Sequence, residues 1–438
     1  MSPSNQDPAD LDKSQDLDLV ATCALGLEEL LAEELRQLAQ RAPALRQIEI
    51  GRGAVTFRGG WPEVWLTNLW LRTANRVQVR LGTWNGHDGD ALEAGARNLV
   101  RRRHRRWGGL HAGDLFPPSA TLAIHATSTA SEVRDTRWVA LKVKDGLVDG
   151  QRDRFGQRSS IDRQNPQRPL RVWLHKNQAT LLLDTSGEPL DRRGYRLDRG
   201  EAPVRETLAA ACVLASGWRG EGPVADPMCG SGTLLAEAGL IALQRPPGGF
   251  RSQWPFARLK GFDEARFEAM KTSPTAPSEK APLSEEARED SPLRLHGGDL
   301  DGEVLQAAAA NLTRAGLDEL AYLKRRDAFN SDPPAAEGGG LVLINPPYGE
   351  RLGASADLWS RLGDLLKTRY AGWRAVLLAG DQRLGKGLGL RPSRRLPVRN
   401  GPLDARILVL DLYRGSKKRS SPKPEGETAG DAPGKTAG

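Results

Sequence analysis

The segment VADPMCGSGTLLAEAGLIAL, residues 224–243, constrains the fold more than any other part of the chain. A short apolar strand runs into a turn of small residues, and a helix rich in Ala and Leu leaves it. A strand with no polar face must be covered on both sides, which points to a parallel α/β sheet with helices on each face. Gly230 and Gly232 let the backbone approach a ligand at the carboxyl end of that strand, where open α/β sheets bind their ligands. The dinucleotide fingerprint wants a third glycine where this chain has Leu235, so a nicotinamide cofactor is disfavoured.

The same alternation continues after about residue 200. Strands are expected at 222–227, 293–299, 321–327, 340–347 and 373–380, with a final apolar run at 404–413. Three of these end in acids. Asp226 lies beside the glycine turn and suits a cationic ligand such as S-adenosylmethionine, which has no pyrophosphate to cradle. Asp299 is placed to accept the ribose hydroxyls, with Asp301 as the alternative and more naturally a helix cap. Asp327 is placed for the adenine amino group. The distance from the turn to Asp299 exceeds the roughly 20 residues of the dinucleotide pattern. A polar stretch at 272–292, read as a mobile insertion, and a segment with Trp and Pro at 246–260 absorb the excess.

The strand GLVLI runs straight into Asn345-Pro346-Pro347-Tyr348. Two prolines stiffen the backbone and withhold N–H donors, leaving the Pro346 carbonyl as an acceptor of fixed direction. An exocyclic amine on a base is a poor nucleophile because its lone pair is delocalised into the ring. Acceptors at the Asn345 side chain and the Pro346 carbonyl would orient that amine and let it pyramidalise, while Tyr348 stacks on the base. Methylation at ring carbon would want a Cys nucleophile at this strand end, and none is there. Cys229 lies in the glycine turn and is expected to be a packed thiol.

The first half reads differently. Between Leu19 and about residue 85, and again from about 120 to 187, helices alternate with antiparallel hairpins, the pattern of small α+β binding modules. Lys and Arg number 63 against 55 Asp and Glu, and the formal charge of +8 favours a polyanionic partner. Cys23, Cys212 and Cys229 form no CxxC pair, so neither a disulfide framework nor a metal site is expected. The polar, acidic N-terminus and the lack of any long apolar run point to a cytoplasmic protein without a membrane anchor.

Basic clusters stand outside the α/β region. Arg101, Arg102, Arg103, Arg105 and Arg106 close one helix, where cations suit the helix dipole as well as RNA phosphate. Lys142 and Lys144 lie on a later helix, and Arg192 and Arg193 just precede the α/β region. All are candidate RNA contacts.

The segments VKDGLVDGQRDRFGQRSSIDRQNPQ, LDTSGEPLDRRGYRLDRGEAPVRETLAAA, DPMCGSGT and NPPYGERLG make the chain resemble the THUMP-domain class I methyltransferases, most closely the bacterial 23S rRNA guanine-N2 enzymes of the RlmL type. The resemblance implies a Rossmann-like α/β class I methyltransferase domain at 201–413, preceded by a ferredoxin-like region at 18–85, a THUMP domain at 86–187 and a connector at 188–200. The tails at 1–17 and 414–438 are expected to be disordered. The resemblance also implies S-adenosylmethionine as cofactor, held by Asp226, Gly230, Gly232, Asp299 and Asp327, with Pro203 and Thr207 in a segment that closes over it. The implied substrate is structured RNA, as 23S rRNA or an assembly intermediate. Methylation of tRNA guanine or DNA adenine, and a non-catalytic ribosome-assembly role, stay open as alternatives.

Overall fold

The computed structural model describes residues 16–101, 112–197, 204–272, 293–334, 339–347, 356–380, 387–401 and 403–413. Residues 273–292 of the expected insertion and the tails at 1–15 and 414–438 lie outside them, as do Arg102, Arg103, Arg105, Arg106, Pro203 and Tyr348; Leu17, expected in the disordered tail, instead opens the first strand.

Strands β1 (Leu17–Cys23), β2 (Arg46–Gly51), β3 (Ala54–Gly59) and β4 (Ala74–Asn85) belong to the first unit; β5 (Leu122–Thr129), β6 (Arg168–His175) and β7 (Gln178–Asp184) belong to the second. They form one seven-stranded sheet in the order β2-β3-β1-β4-β7-β6-β5, joined by antiparallel pairing of β4 with β7. The β6–β7 hairpin turns on Lys176 and Asn177, both with positive φ, whose twist matches that of the flanking strands. The helix Thr136–Phe155 covers this half of the sheet. Asp135 caps it by accepting the N–H of Arg137 at 2.9 Å, and Gly156 ends it at φ 70°. Gly146 lets it press on the helix Gly89–Arg101, for a Cβ there would lie 2.1 Å from the Glu93 carbonyl oxygen.

The second sheet contains β8 (Val224–Asp226), β9 (Leu295–Asp299), β10 (Ala321–Arg325), β11 (Leu341–Ile344), β12 (Arg374–Ala379), β13 (Arg394–Asn400) and β14 (Leu403–Asp411). Its order is β10-β9-β8-β11-β12-β14-β13. The first five strands are parallel, and β14 inserts antiparallel to both β12 and β13. The sequence gives no sign of β13 as a strand, because Arg and Pro interrupt it; Pro397 is tolerated on a sheet edge, where its missing donor goes unused. Strand order reverses between β8 and β11, so the ligand crevice opens where Asp226 and Asn345 emerge.

The segment at 246–272 is a clasp between the halves. Phe256, Phe262 and Phe267 pack on one another, Phe256 and Phe267 also on Trp254, and Phe262 meets the Trp65 ring edge-on at 5.2 Å. Trp70 donates through its ring N–H to the Met270 carbonyl at 3.1 Å. Among the described residues no helix is long and apolar enough to cross a membrane.

Candidate active site

Strand β8 ends at Asp226, whose residue is 1% exposed. Its Oδ1 accepts the N–H of Met228 at 3.2 Å, while Oδ2 has no hydrogen-bond partner among the described residues. Burial, with a smaller contribution from the charge of Asp299, pushes the carboxyl up to about 8. A buried polar atom left unpaired costs on the order of 1–3 kcal/mol, so this oxygen is suited to a donor or cation supplied by a ligand.

The turn after it is held from within and from β9. The Cys229 N–H donates to the Gly298 carbonyl and the Gly232 N–H to the Cys229 carbonyl, each at 2.9 Å. Gly230 donates its N–H to Asp299 Oδ2 at 3.0 Å. Both glycines have positive φ, +51° at Gly230 and +79° at Gly232, but for different neighbours. A Cβ on Gly232 would lie 3.2 Å from the Ala308 Cβ, whereas one on Gly230 would meet nothing within 4 Å among the described residues. Gly232 is therefore set by helix packing, and Gly230 has space beside it among the described residues. Cys229 is buried and burial pushes its thiol up, as expected of a packed thiol.

The two acids at the end of β9 have different partners. Asp301 caps the helix Gly302–Arg314 through the Glu303 N–H at 2.9 Å. Asp299 spans the turn and that cap, accepting Gly230 N–H and, at 3.1 Å, Asp301 N–H. Leu300 between them is 65% exposed, an apolar side chain beside the carboxylate that ends β9. Asp327 turns its oxygens to its own loop, accepting the Phe329 N–H and the Asn330 amide, each at 3.0 Å. An adenine amino group would have to use its remaining lone pairs.

Strand β11 pairs Val342 with Ala225 of β8, so Asn345 emerges just beyond the level of Asp226. Asn345 is half-buried, Pro346 buried and Pro347 exposed. Thr207 is buried in the helix Glu206–Ser216. Sequence patterns gave no hint of Asn311, fully buried, whose side-chain amide donates to the Ser231 carbonyl at 3.0 Å. A lone Asn in an Ala-rich helix was its only signal. Arg196 stands in sequence with the basic set before the α/β region, but it pairs with Glu206 at 3.0 Å and donates to Thr233 Oγ1 at 3.2 Å, at the start of the helix that leaves the turn.

The basic candidates divide. Arg193 is 1% exposed and paired with Glu237, which corrects its expected role: a buried guanidinium is not available to RNA phosphate. Arg101 and Arg192 are exposed and ion-paired with Asp153 and Glu188. Lys142 pairs with Glu93 at 2.9 Å and lies over the Trp138 ring, and Lys144 pairs with Asp145.

Among the described residues, an orphaned buried carboxylate oxygen, a glycine with space beside it and a strand-end acid fit a nucleoside cofactor that carries a cationic amino acid end. Fold and site together define a class I S-adenosylmethionine-dependent methyltransferase. Family models match its three parts in order: an RlmL ferredoxin-like domain at 18–78, a THUMP domain at 109–184 and an RMKL-like methyltransferase domain at 193–408. A Synechocystis sp. protein named as a candidate RNA methyltransferase is 35% identical over 396 residues, 90% of this chain and 96% of the relative. The chain belongs to the THUMP-domain class I RNA methyltransferases of the RlmL-like family. SMU.472, a candidate methyltransferase solved with S-adenosylhomocysteine, is 27% identical with a TM-score of 0.76, covering 92% of this chain and 100% of that one. A Listeria monocytogenes structure described as a predicted N6-adenine-specific DNA methylase is 26% identical with a TM-score of 0.74, covering 91% and 97%.

Proposed function

We propose that this enzyme transfers a methyl group to the exocyclic N2 of a guanine in structured RNA, with 23S rRNA or a ribosome-assembly intermediate as substrate. The observation that carries this reading is the emergence of Asn345 and Pro346 beside Asp226 at the point where strand order reverses. When bound, S-adenosylmethionine supplies an electrophilic methyl on a sulfonium. The Asp226 carboxylate takes the cationic end of that cofactor, and Asp299 takes its ribose while holding Gly230.

The Asn345 side-chain oxygen and the Pro346 carbonyl accept the two hydrogens of the target amine, turning its lone pair toward the methyl. Tyr348 stacks on the base. No strong base is required, because the methylated nitrogen is acidic enough to lose its proton to water. The sheet of the N-terminal half, with Arg101, Arg192, Lys142 and Lys144, serves as the RNA platform; the THUMP match and the net charge of +8 support that role.

Labelled cofactor incubated with undermodified rRNA should yield N2-methylguanosine, located by mass-spectrometric nucleoside mapping. Label at adenine, or preferential labelling of tRNA or DNA in competition, would overturn the guanine and rRNA assignments respectively.

A further inference from the structure

Among the described residues of the connector between the two halves, Arg193 and Tyr195 turn inward and are buried with polar partners. Arg193 faces Glu237 Oε1 with its Nε at 3.3 Å and donates to the carbonyls of Leu190, at 2.8 Å, and of Arg72. Tyr195, 1% exposed, donates its hydroxyl to the same Glu237 oxygen at 2.9 Å. Glu237 is fully buried on the helix Thr233–Ala242, which leaves the cofactor turn.

That helix is held at both ends as well. Arg196 reaches Thr233 at its start. Arg72, from the first unit, donates to the Leu240 carbonyl at 3.2 Å and the Arg245 carbonyl at 2.7 Å beyond its last turns. A second branch enters the turn itself. Arg314 donates to the Tyr195 carbonyl at 2.9 Å and to Asn311 Oδ1 at 2.6 Å, and Asn311 donates to the Ser231 carbonyl.

Stability alone does not account for such an interface. Taking a guanidinium and a carboxylate out of water is costly, and a well-packed apolar contact of similar size is often as stable or more so. Apolar surfaces tolerate sliding, whereas charge-assisted hydrogen bonds of fixed direction set one angle. Displacement of a reacting atom by about 1 Å can cost on the order of 10²-fold in rate, so that angle matters to chemistry some distance away.

We propose that Arg193, Tyr195 and Arg196 are positioning residues for methyl transfer, fixing the angle at which the N-terminal half presents a base to the cofactor turn. This rests on the RNA methylation reading above. In the full chain, Tyr195→Phe removes one hydroxyl and keeps the ring packed on Phe250, and Arg193→Lys keeps the charge but loses the fork.

Transfer of labelled methyl to RNA at saturating cofactor and RNA should fall about ten-fold or more in kcat for each variant. The dissociation constants for RNA and S-adenosylhomocysteine should stay within about three-fold of the parent. The two effects should combine to less than their sum, since both act through Glu237. An unchanged kcat in Tyr195→Phe, or a loss of kcat matched by equal loss of RNA or cofactor affinity, overturns the proposal. Should the parent enzyme label DNA or protein instead of RNA, the substrate assignment fails, and the split between kcat and affinity is read on the substrate that accepts label.

Discussion

The Gly230 N–H donates to the Asp299 carboxylate at 3.0 Å, tying the cofactor turn after β8 to the end of the neighbouring strand β9. Sixty-eight residues intervene between the two in sequence, yet one oxygen of Asp299 fixes the turn and the other receives the Asp301 N–H at 3.1 Å. Asp299→Ala therefore loses a ligand acceptor and the brace of the turn together. Affinity for S-adenosylhomocysteine, measured by calorimetry, should fall by about 2–3 kcal/mol, a factor of roughly 30–150.

The two glycines of the turn should respond differently to the same substitution. Gly232→Ala forces a side chain into positive φ and against Ala308, so thermal or denaturant unfolding should show a loss of about 1–2 kcal/mol. Gly230→Ala meets no atom of the described residues within 4 Å and should cost the fold about 1 kcal/mol from its backbone conformation, while cofactor affinity drops by about ten-fold or more.

Asp226 predicts a pH dependence of defined sign. Its carboxyl, with an ordinary value of 3.8, is raised to about 8 in the folded chain. The neutral form therefore contributes stability that is full below about pH 4 and is lost as pH rises through about 8. Cofactor binding favours the ionised form, so the rise in melting temperature on adding S-adenosylhomocysteine should be larger at about pH 8.5 than at about pH 6.5. Asp226→Asn, which cannot ionise, should flatten that difference.

Arg193 and Arg192 are neighbours in sequence with opposite surroundings. Arg193→Ala leaves Glu237 buried without its cation and should destabilise the protein by about 3–5 kcal/mol in urea unfolding. Arg192→Ala removes an exposed ion pair with Glu188 and should change stability by less than about 1 kcal/mol, with any effect appearing in the salt dependence of RNA binding.

Asn345→Ala should lower kcat by about 10²-fold or more while sparing RNA and cofactor affinity, as measured by filter binding and calorimetry. Equal loss of all three would mean that the residue holds the fold of the loop rather than the amine.

Much of the catalytic half was legible because its signals are local. A short buried strand, a small-residue turn and an Ala-rich helix fit a parallel sheet with little competition; Asp226 and Asp299 sit where their strands stop, while Asp327, expected at a strand end, follows two residues after β10 stops at Arg325.

What the sequence by itself determined is therefore the parallel strands of the α/β half, the turn that approaches the cofactor and the strand that carries Asn345. Tertiary structure alone decided the rest. It merged two α+β units into one sheet through β4 and β7, and it placed the Arg- and Pro-interrupted β13 on an edge where neither is penalised. It tied Asp299 to Gly230, 69 positions earlier. It also turned Arg193 inward to Glu237 while leaving Arg192 in water. The pairing of β4 with β7, the brace at Gly230 and the burial of Arg193 depend on partners tens of residues away, and whether a charge is buried is settled by what packs on it, which no local periodicity records.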